Sequence, residues 1–144
     1  MKKNLEKFIE LLLEKGDDAL SYVKYFSLTF DELVVAYEKA NLSLPIYLIS
    51  RKEYSLPFEG GWGNGYVKVV EGNRYYEKKY DEMDLLVHGG VTYSQYVNDT
   101  DIFPSKGFWI GFDTAHYSDT IEKWPKDKVL KETIKLFKQV YGLD

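Results

Sequence analysis

The chain reads as an α+β protein, a mostly antiparallel sheet with N-terminal helices and a C-terminal helix packed on it. Three observations predict this. Apolar residues recur at helical spacing at both ends of the chain, whereas short aromatic and β-branched runs bounded by glycine and turn residues fill the middle. Helices, then strands, then one helix is the order of an α+β fold, not the regular alternation of a doubly wound sheet. At 144 residues the chain has the size of one domain around one core. Within it, 1–44 forms a helical N-terminal extension and 45–144 a sheet-containing core closed by the C-terminal helix.

The elements follow in order. Leu5, Phe8, Ile9, Leu12 and Leu13 fall on one helical face, with Lys7, Glu10 and Glu14 on the other. Gly16 suits the C-terminal cap, and residues 17–24 allow a short second helix. Thr29 with Glu32 three residues on is a capping box, in which each side chain satisfies an otherwise orphaned amide. Leu33, Val34 and Tyr37 then form an apolar stripe that Asn41 ends. Pro45 breaks helical character, and residues 46–49 read as a strand. The run 58–65, with Gly60, Gly61, Gly63 and Gly65, is expected to be irregular, its glycines free for positive φ or close backbone approach. Residues 66–70 alternate as a strand, with Glu71-Gly72-Asn73 as the turn. Two further strands are expected over 83–87 and 91–93, interrupted by His88-Gly89-Gly90, and another over 108–112. Pro125 fits a first helical position. Val129, Leu130, Ile134, Phe137 and Tyr141 supply one apolar face, and Gly142 fits the closing cap.

Composition excludes several classes. A net charge of -4, with both signs interspersed, argues against general duplex binding, which needs clustered Lys and Arg to displace counterions. A single nucleotide needs only a few local donors and stays open. The absence of cysteine removes disulfides, thiolate–zinc sites and cysteine nucleophiles. Thirteen tyrosines suit either an aromatic core edge or a partner surface. The start has no secretory pattern, since Glu6, Glu10 and Glu14 interrupt its apolar positions, and no apolar run approaches the roughly 18–20 residues of a membrane span. The expected compartment is the cytoplasm, with no membrane partner.

Both histidines lie in polar, glycine-rich segments, His88 in His88-Gly89-Gly90-Val91-Thr92-Tyr93-Ser94 and His116 in Asp113-Thr114-Ala115-His116-Tyr117-Ser118-Asp119. Imidazole titrates near neutrality and ligates metals. Asp113, His116 and Asp119 are three residues apart, so a helical turn would put them on one face, where a carboxylate fixes the imidazole tautomer. Gly89, Gly90, Thr92 and Ser94 would line the opening, joined by Trp62 and Tyr66 from the glycine-rich run and its following strand. Architectural readings stand beside these: a glycine bulge or tight turn in which His88 hydrogen-bonds a loop carbonyl, and a capping loop in which Asp113 or Asp119 accepts backbone amides. His88 and His116 with Asp113 or Asp119 could also hold a divalent metal, although the spacing matches no recognised zinc-hydrolase motif. The run around Trp62 could cradle phosphate or act as a mobile loop with an aromatic lid, but fits neither nucleotide fingerprint. Ser94 and Ser118 lack a nucleophile-elbow context. Asp81 and Asp84, which precede the first segment, suit a solvated edge or an addition to the site.

Gly65-Tyr66-Val67, Tyr80-Asp81 and the two histidine segments resemble a family of small uncharacterised phage, prophage and bacterial proteins. Its pattern is a Gly-Tyr-Val strand, a His-Gly-Gly-x-Thr-Phe/Tyr segment, a Trp-x-Gly-Phe-Asp-x-Ala-His-x-x-Asp segment and a terminal helix. The resemblance spans residues 57–143 and leaves the N-terminal helices outside. It implies a shared site at the two histidine segments and no particular activity. The chain departs from the family at Asn73, near which relatives carry a histidine in a Gly-His-Pro turn. A phage setting implies interference with a host system, by association alone.

The function expected from these residues is a small hydrolase-like or nucleotide-processing enzyme. His88 and His116 would be the acid/base or metal-binding groups, and Asp113 and Asp119 the orienting groups. The alternative is a non-enzymatic, phage-type inhibitor that binds a host protein or sequesters a small nucleotide. A third reading makes both segments a hydrogen-bonded corner that fixes strand geometry.

Overall fold

A computed structural model describes residues 2–54 and 60–144; Phe58 and Glu59 of the glycine-rich run lie outside the described residues. The N-terminal segment forms helix α1 (Lys2–Lys15), a 3-10 helix (Gly16–Phe26) and helix α2 (Phe30–Lys39). Gly16 turns the chain at φ +60°, as its place after the apolar stripe predicts. The capping box forms: Glu32 N–H donates to Thr29 Oγ1 at 3.1 Å, and Thr29 N–H donates to Glu32 Oε1 at 2.9 Å. Asn41 ends α2 in the left-handed region at φ +56°. Its amide donates to Glu38 O and that of Leu42 to Tyr37 O, which together satisfy the last carbonyls in a Schellman arrangement.

Four antiparallel strands among the described residues form one sheet in the order β1-β2-β4-β3, with β1 Ile46–Ser50, β2 Gly63–Val69, β3 Tyr93–Val97 and β4 Gly107–Phe112. Helix α3 (Lys126–Tyr141) packs across β2. Alternation sorts the central strands. Val67, Val69, Ile110 and Phe112 join Phe8, Leu33 and Phe137 in the main core. Tyr66 and Trp109 face the other way, into a second cluster with Ile49 and Phe103. The two layers are tied by polar groups as well as by packing. Lys68 Nζ, on the Tyr66 side, reaches Asp17 Oδ2 at 3.0 Å, and Tyr37 Oη donates to Asp17 Oδ1 at 2.8 Å. Tyr141 Oη donates to Lys68 O at 2.6 Å and accepts from Val70 N–H.

Four expectations are corrected. Residues 83–87 are extended but form no strand: Leu85 is buried between exposed Asp84 and Leu86, giving the expected period of two, yet the partner is a helix. Gln139 of α3 accepts from Leu86 N–H at 2.8 Å and donates to Leu86 O at 2.8 Å, doing for this residue what a neighbouring strand would do. The strand expected over 91–93 begins only at Tyr93 and continues to Val97. Gly63 and Gly65 lie inside β2, not in an irregular run. A Cβ at Gly63 would fall onto Ile49 O, and one at Gly65 onto Thr133 Oγ1, so these glycines permit close approach within the fold. The buried stripe of α3 runs through Val129, Thr133, Leu136, Phe137, Val140 and Tyr141, leaving Leu130 40% exposed, because Gly65 admits Thr133 to the interface. No helix among the described residues is long and apolar enough to cross a membrane.

Candidate His/Asp site

The two histidine segments converge at the N-terminal half of α3. The extended stretch leading to His88 is held there by that helix: besides the Gln139 clamp, His88 N–H donates to Glu132 Oε2 at 2.7 Å. A turn follows, closed by Gly90 N–H to Val87 O at 2.8 Å, with Gly89 and Gly90 at φ +69° and +80°. A side chain at Gly89 would be strained and would also fall onto His116 Nε2, whereas the Cβ position of Gly90 is open. Glycine at 89 is therefore a clearance for the second histidine.

The other segment leaves the end of β4. Asp113 is fixed first: Oδ1 accepts from Ala115 N–H at 2.9 Å and Oδ2 from Thr92 Oγ1 at 2.9 Å, which locks the loop to the chain entering β3. The expected helical turn is instead a tight turn, His116 to Asp119, with Asp119 N–H donating to His116 O and Ser118 at φ +75°. Asp119 closes it by accepting from His116 N–H through Oδ2 at 2.9 Å. Tyr117 at its tip is fully exposed.

Side chains meet between these supports. His88 Nε2 lies 3.0 Å from both oxygens of Asp119, whose side chain is only 6% exposed. The rings of His88 and His116 are 5.3 Å apart and nearly perpendicular at 81°. His116 Nε2 is 3.2 Å from Asp113 Oδ1, but the carboxylate lies off the N–H direction, so the contact is electrostatic and this buried nitrogen makes no hydrogen bond among the described residues. Burial pushes the Asp119 carboxyl up. The hydrogen bonds from His88 and the His116 amide outweigh burial and hold it below the usual carboxylate range, so it is a carboxylate at neutral pH. On that assignment Asp119 takes the Nε2–H tautomer of His88 and leaves Nδ1 as an acceptor.

Not every sequence candidate joins the site. Thr92 is present through Asp113. Ser94 sits on β3 opposite Ile110 with no hydrogen bond to either histidine among the described residues. Tyr66 is buried in the opposite aromatic cluster. Trp62 is connected to the site through Trp124, to whose carbonyl its amide donates. The amides of Gly61 and Trp62 are spent on Thr114 O and Trp124 O, and a Cβ at Gly61 would press on Thr114 and Trp124, so this stretch is packed rather than cradle-like. Asp84 pairs with Tyr75 and Arg74, and Asp81 is exposed.

Sequence reasoning missed Trp124, Glu132 and Gln139. The Trp124 ring lies against His88 with centroids 4.1 Å apart and the planes tilted by 35°, and Lys128 Nζ sits 4.4 Å over the same indole. Trp124 had one available signal, its place between Asp119 and the start of α3; the two α3 side chains had none.

The fold and site together define an α+β protein with two histidine–carboxylate pairs at the end of its sheet. Comparison with protein-family models, curated proteins and solved structures gives no match.

Proposed function

We propose that the protein is a small hydrolase acting on an ester, with a phosphate-bearing or nucleotide substrate as the preferred class. The observation that carries this reading is the pairing of the two imidazoles: rings 5.3 Å apart, each beside its own carboxylate, in one half-buried cluster. Hydrolysis needs a group that accepts the proton of water and one that protonates the leaving oxygen. His88, oriented by Asp119, suits the first role. His116, beside Asp113, suits the second. As water attacks, its proton passes to His88, the ester bond breaks, and the departing oxygen takes a proton from His116. Lys128 over Trp124, next to His88, favours an anionic substrate and charge stabilisation.

The test is turnover of a panel of phosphate mono- and diesters, nucleotides and carboxylic esters. His88→Ala and His116→Ala should each remove at least about 99% of the rate, as expected for acid–base groups, while the thermal melt stays close to that of the parent. Unchanged rates in both variants, or no turnover across the panel, would sink the hydrolytic reading.

A second reading is favoured by the fully exposed ring of Tyr117 beside His116, and by Ile121 at 60% exposure nearby in the chain. Here the protein binds without turnover, as a phage-type inhibitor of a host protein or as a trap for a small nucleotide. Recovery of an intact nucleotide after denaturation supports the trap. A stoichiometric host partner lost in Tyr117→Ala supports the inhibitor.

A further inference from the structure

We propose that His88, His116 and Asp119 bind a divalent first-row transition-metal ion. This deepens the hydrolytic reading and rests on it for its chemical use, though not for the binding itself. One potential ligand atom from each residue lies within 4.8 Å of the other two.

Three features of the cluster are poorly served by hydrogen bonding alone. His88 Nε2 is equidistant, at 3.0 Å, from both Asp119 oxygens, so a single N–H is shared between two acceptors and points fully at neither. A cation beside them accepts the imidazole lone pair and the carboxylate together. Among the described residues His116 Nε2 is buried without a hydrogen bond, which is uncommon for a polar atom and ordinary for a metal ligand. Gly89 keeps clear the space against that same nitrogen, which any larger residue would fill.

The donor set selects the ion. Two imidazoles and one carboxylate suit Zn²⁺, Fe²⁺, Mn²⁺ or Co²⁺, whereas Ca²⁺ and Mg²⁺ prefer all-oxygen shells. Three protein ligands leave positions for water, the pattern of catalytic rather than structural zinc. With bonds of about 2.1 Å, two ligands at the tetrahedral angle are about 3.4 Å apart. Atoms up to 4.8 Å apart therefore have to close by about 1.4 Å on loading. His116, with its side chain 35% exposed on a loop, is the member free to swing inward. Its neighbours already resemble the support around a metal site: Glu132 holds the His88 backbone, Asp119 also holds the His116 amide, and Asp113, anchored by Thr92, sits beside the His116 ring. An ion there would lower the pKa of a bound water toward neutrality and itself supply the nucleophile, so that His88 and His116 would serve as its ligands in place of the proton transfers given to the metal-free cluster.

The test uses the full chain after treatment with a chelator. Zn²⁺ is titrated by calorimetry and Co²⁺ by visible absorption. One equivalent should bind, and affinity should fall at least about tenfold in His116→Ala and in Asp119→Asn. Should Asp119→Asn fail to fold, His116→Ala, on its partly exposed loop, carries the comparison. Absence of saturable binding, or equal affinity in His116→Ala, overturns the site. Ester hydrolysis that survives chelation, in a protein that binds no ion, overturns the metal and leaves the proton-transfer reading. One bound equivalent with no turnover of any ester overturns the hydrolytic reading and leaves the metal site.

Discussion

Replacing Gly89 with alanine separates a backbone effect from a site effect, because Gly90 supplies a matched control. Both glycines are left-handed, at φ +69° and +80°, so alanine at either costs roughly 1–2 kcal/mol of backbone strain. Only at position 89 does the new methyl land on His116, against Nε2 and within 2.6 Å of Cδ2 and Cε1; at 90 it meets nothing within 4 Å among the described residues. The His116 ring is on a partly exposed loop and can rotate away, which keeps the added stability cost small. It cannot do so without moving by about 1 Å or more, a displacement that costs on the order of 100-fold in a positioned catalytic group. Both variants should thus melt a few degrees below the parent, by similar amounts, at about 4 °C per kcal/mol. Turnover and Zn²⁺ affinity should collapse in Gly89→Ala and persist in Gly90→Ala. Denaturant melts, calorimetry and the ester panel measure all three. Equal functional losses in the two variants, or a fully active Gly89→Ala protein, would refute the clearance argument.

Three further outcomes follow from the packing. Tyr37→Phe removes the hydrogen bond to Asp17 and should lower stability by about 2 kcal/mol, the scale of a bond to a charged partner. Burial, reinforced for Tyr37 by the Asp17 carboxylate, raises the phenols of Tyr37 and Tyr141 far above their ordinary range. Folding therefore holds protons that the unfolded chain releases near pH 10, so this stability is complete below that pH and declines above it; urea midpoints from pH 8 to 11 should fall less steeply in Tyr37→Phe. Gly65→Ala should cost about 2–3 kcal/mol through overpacking against Thr133 and Phe112, and the double variant with Thr133→Ala should recover part of it, which equilibrium unfolding of the four proteins would reveal. Glu132→Ala frees the His88 amide and should reduce Zn²⁺ affinity by about tenfold, as for other supporting groups, whereas unchanged affinity would show that the turn holds His88 unaided.

Local chemistry made much of the fold legible. The capping box at Thr29 and Glu32, the left-handed stops at Gly16, Asn41 and Gly142, and the apolar rhythm of α1 depend on residues within a turn or two of one another. The period of two in residues 83–87 was equally visible and still misled. Alternating burial follows from any extended chain lying on a core, and the groups that bond Leu86 belong to Gln139, 53 residues further on. Gly63 and Gly65 carried the same ambiguity, since a glycine that turns a chain and a glycine that admits a neighbour look identical until the neighbour is known.

The sequence by itself determined the α+β class, the helix ends and the residue types from which a site could be built: two histidines, their carboxylates and the glycines beside them. Only the tertiary structure decided that His88 and Asp119, 31 residues apart, share a hydrogen bond, that Trp124 and Glu132 support the pair, and that Tyr66 faces away. The physical reason is one of range. Caps and periodicity arise from interactions along a few residues of chain, while convergence depends on how the loop after β4 and the extended segment before β3 both pack against α3.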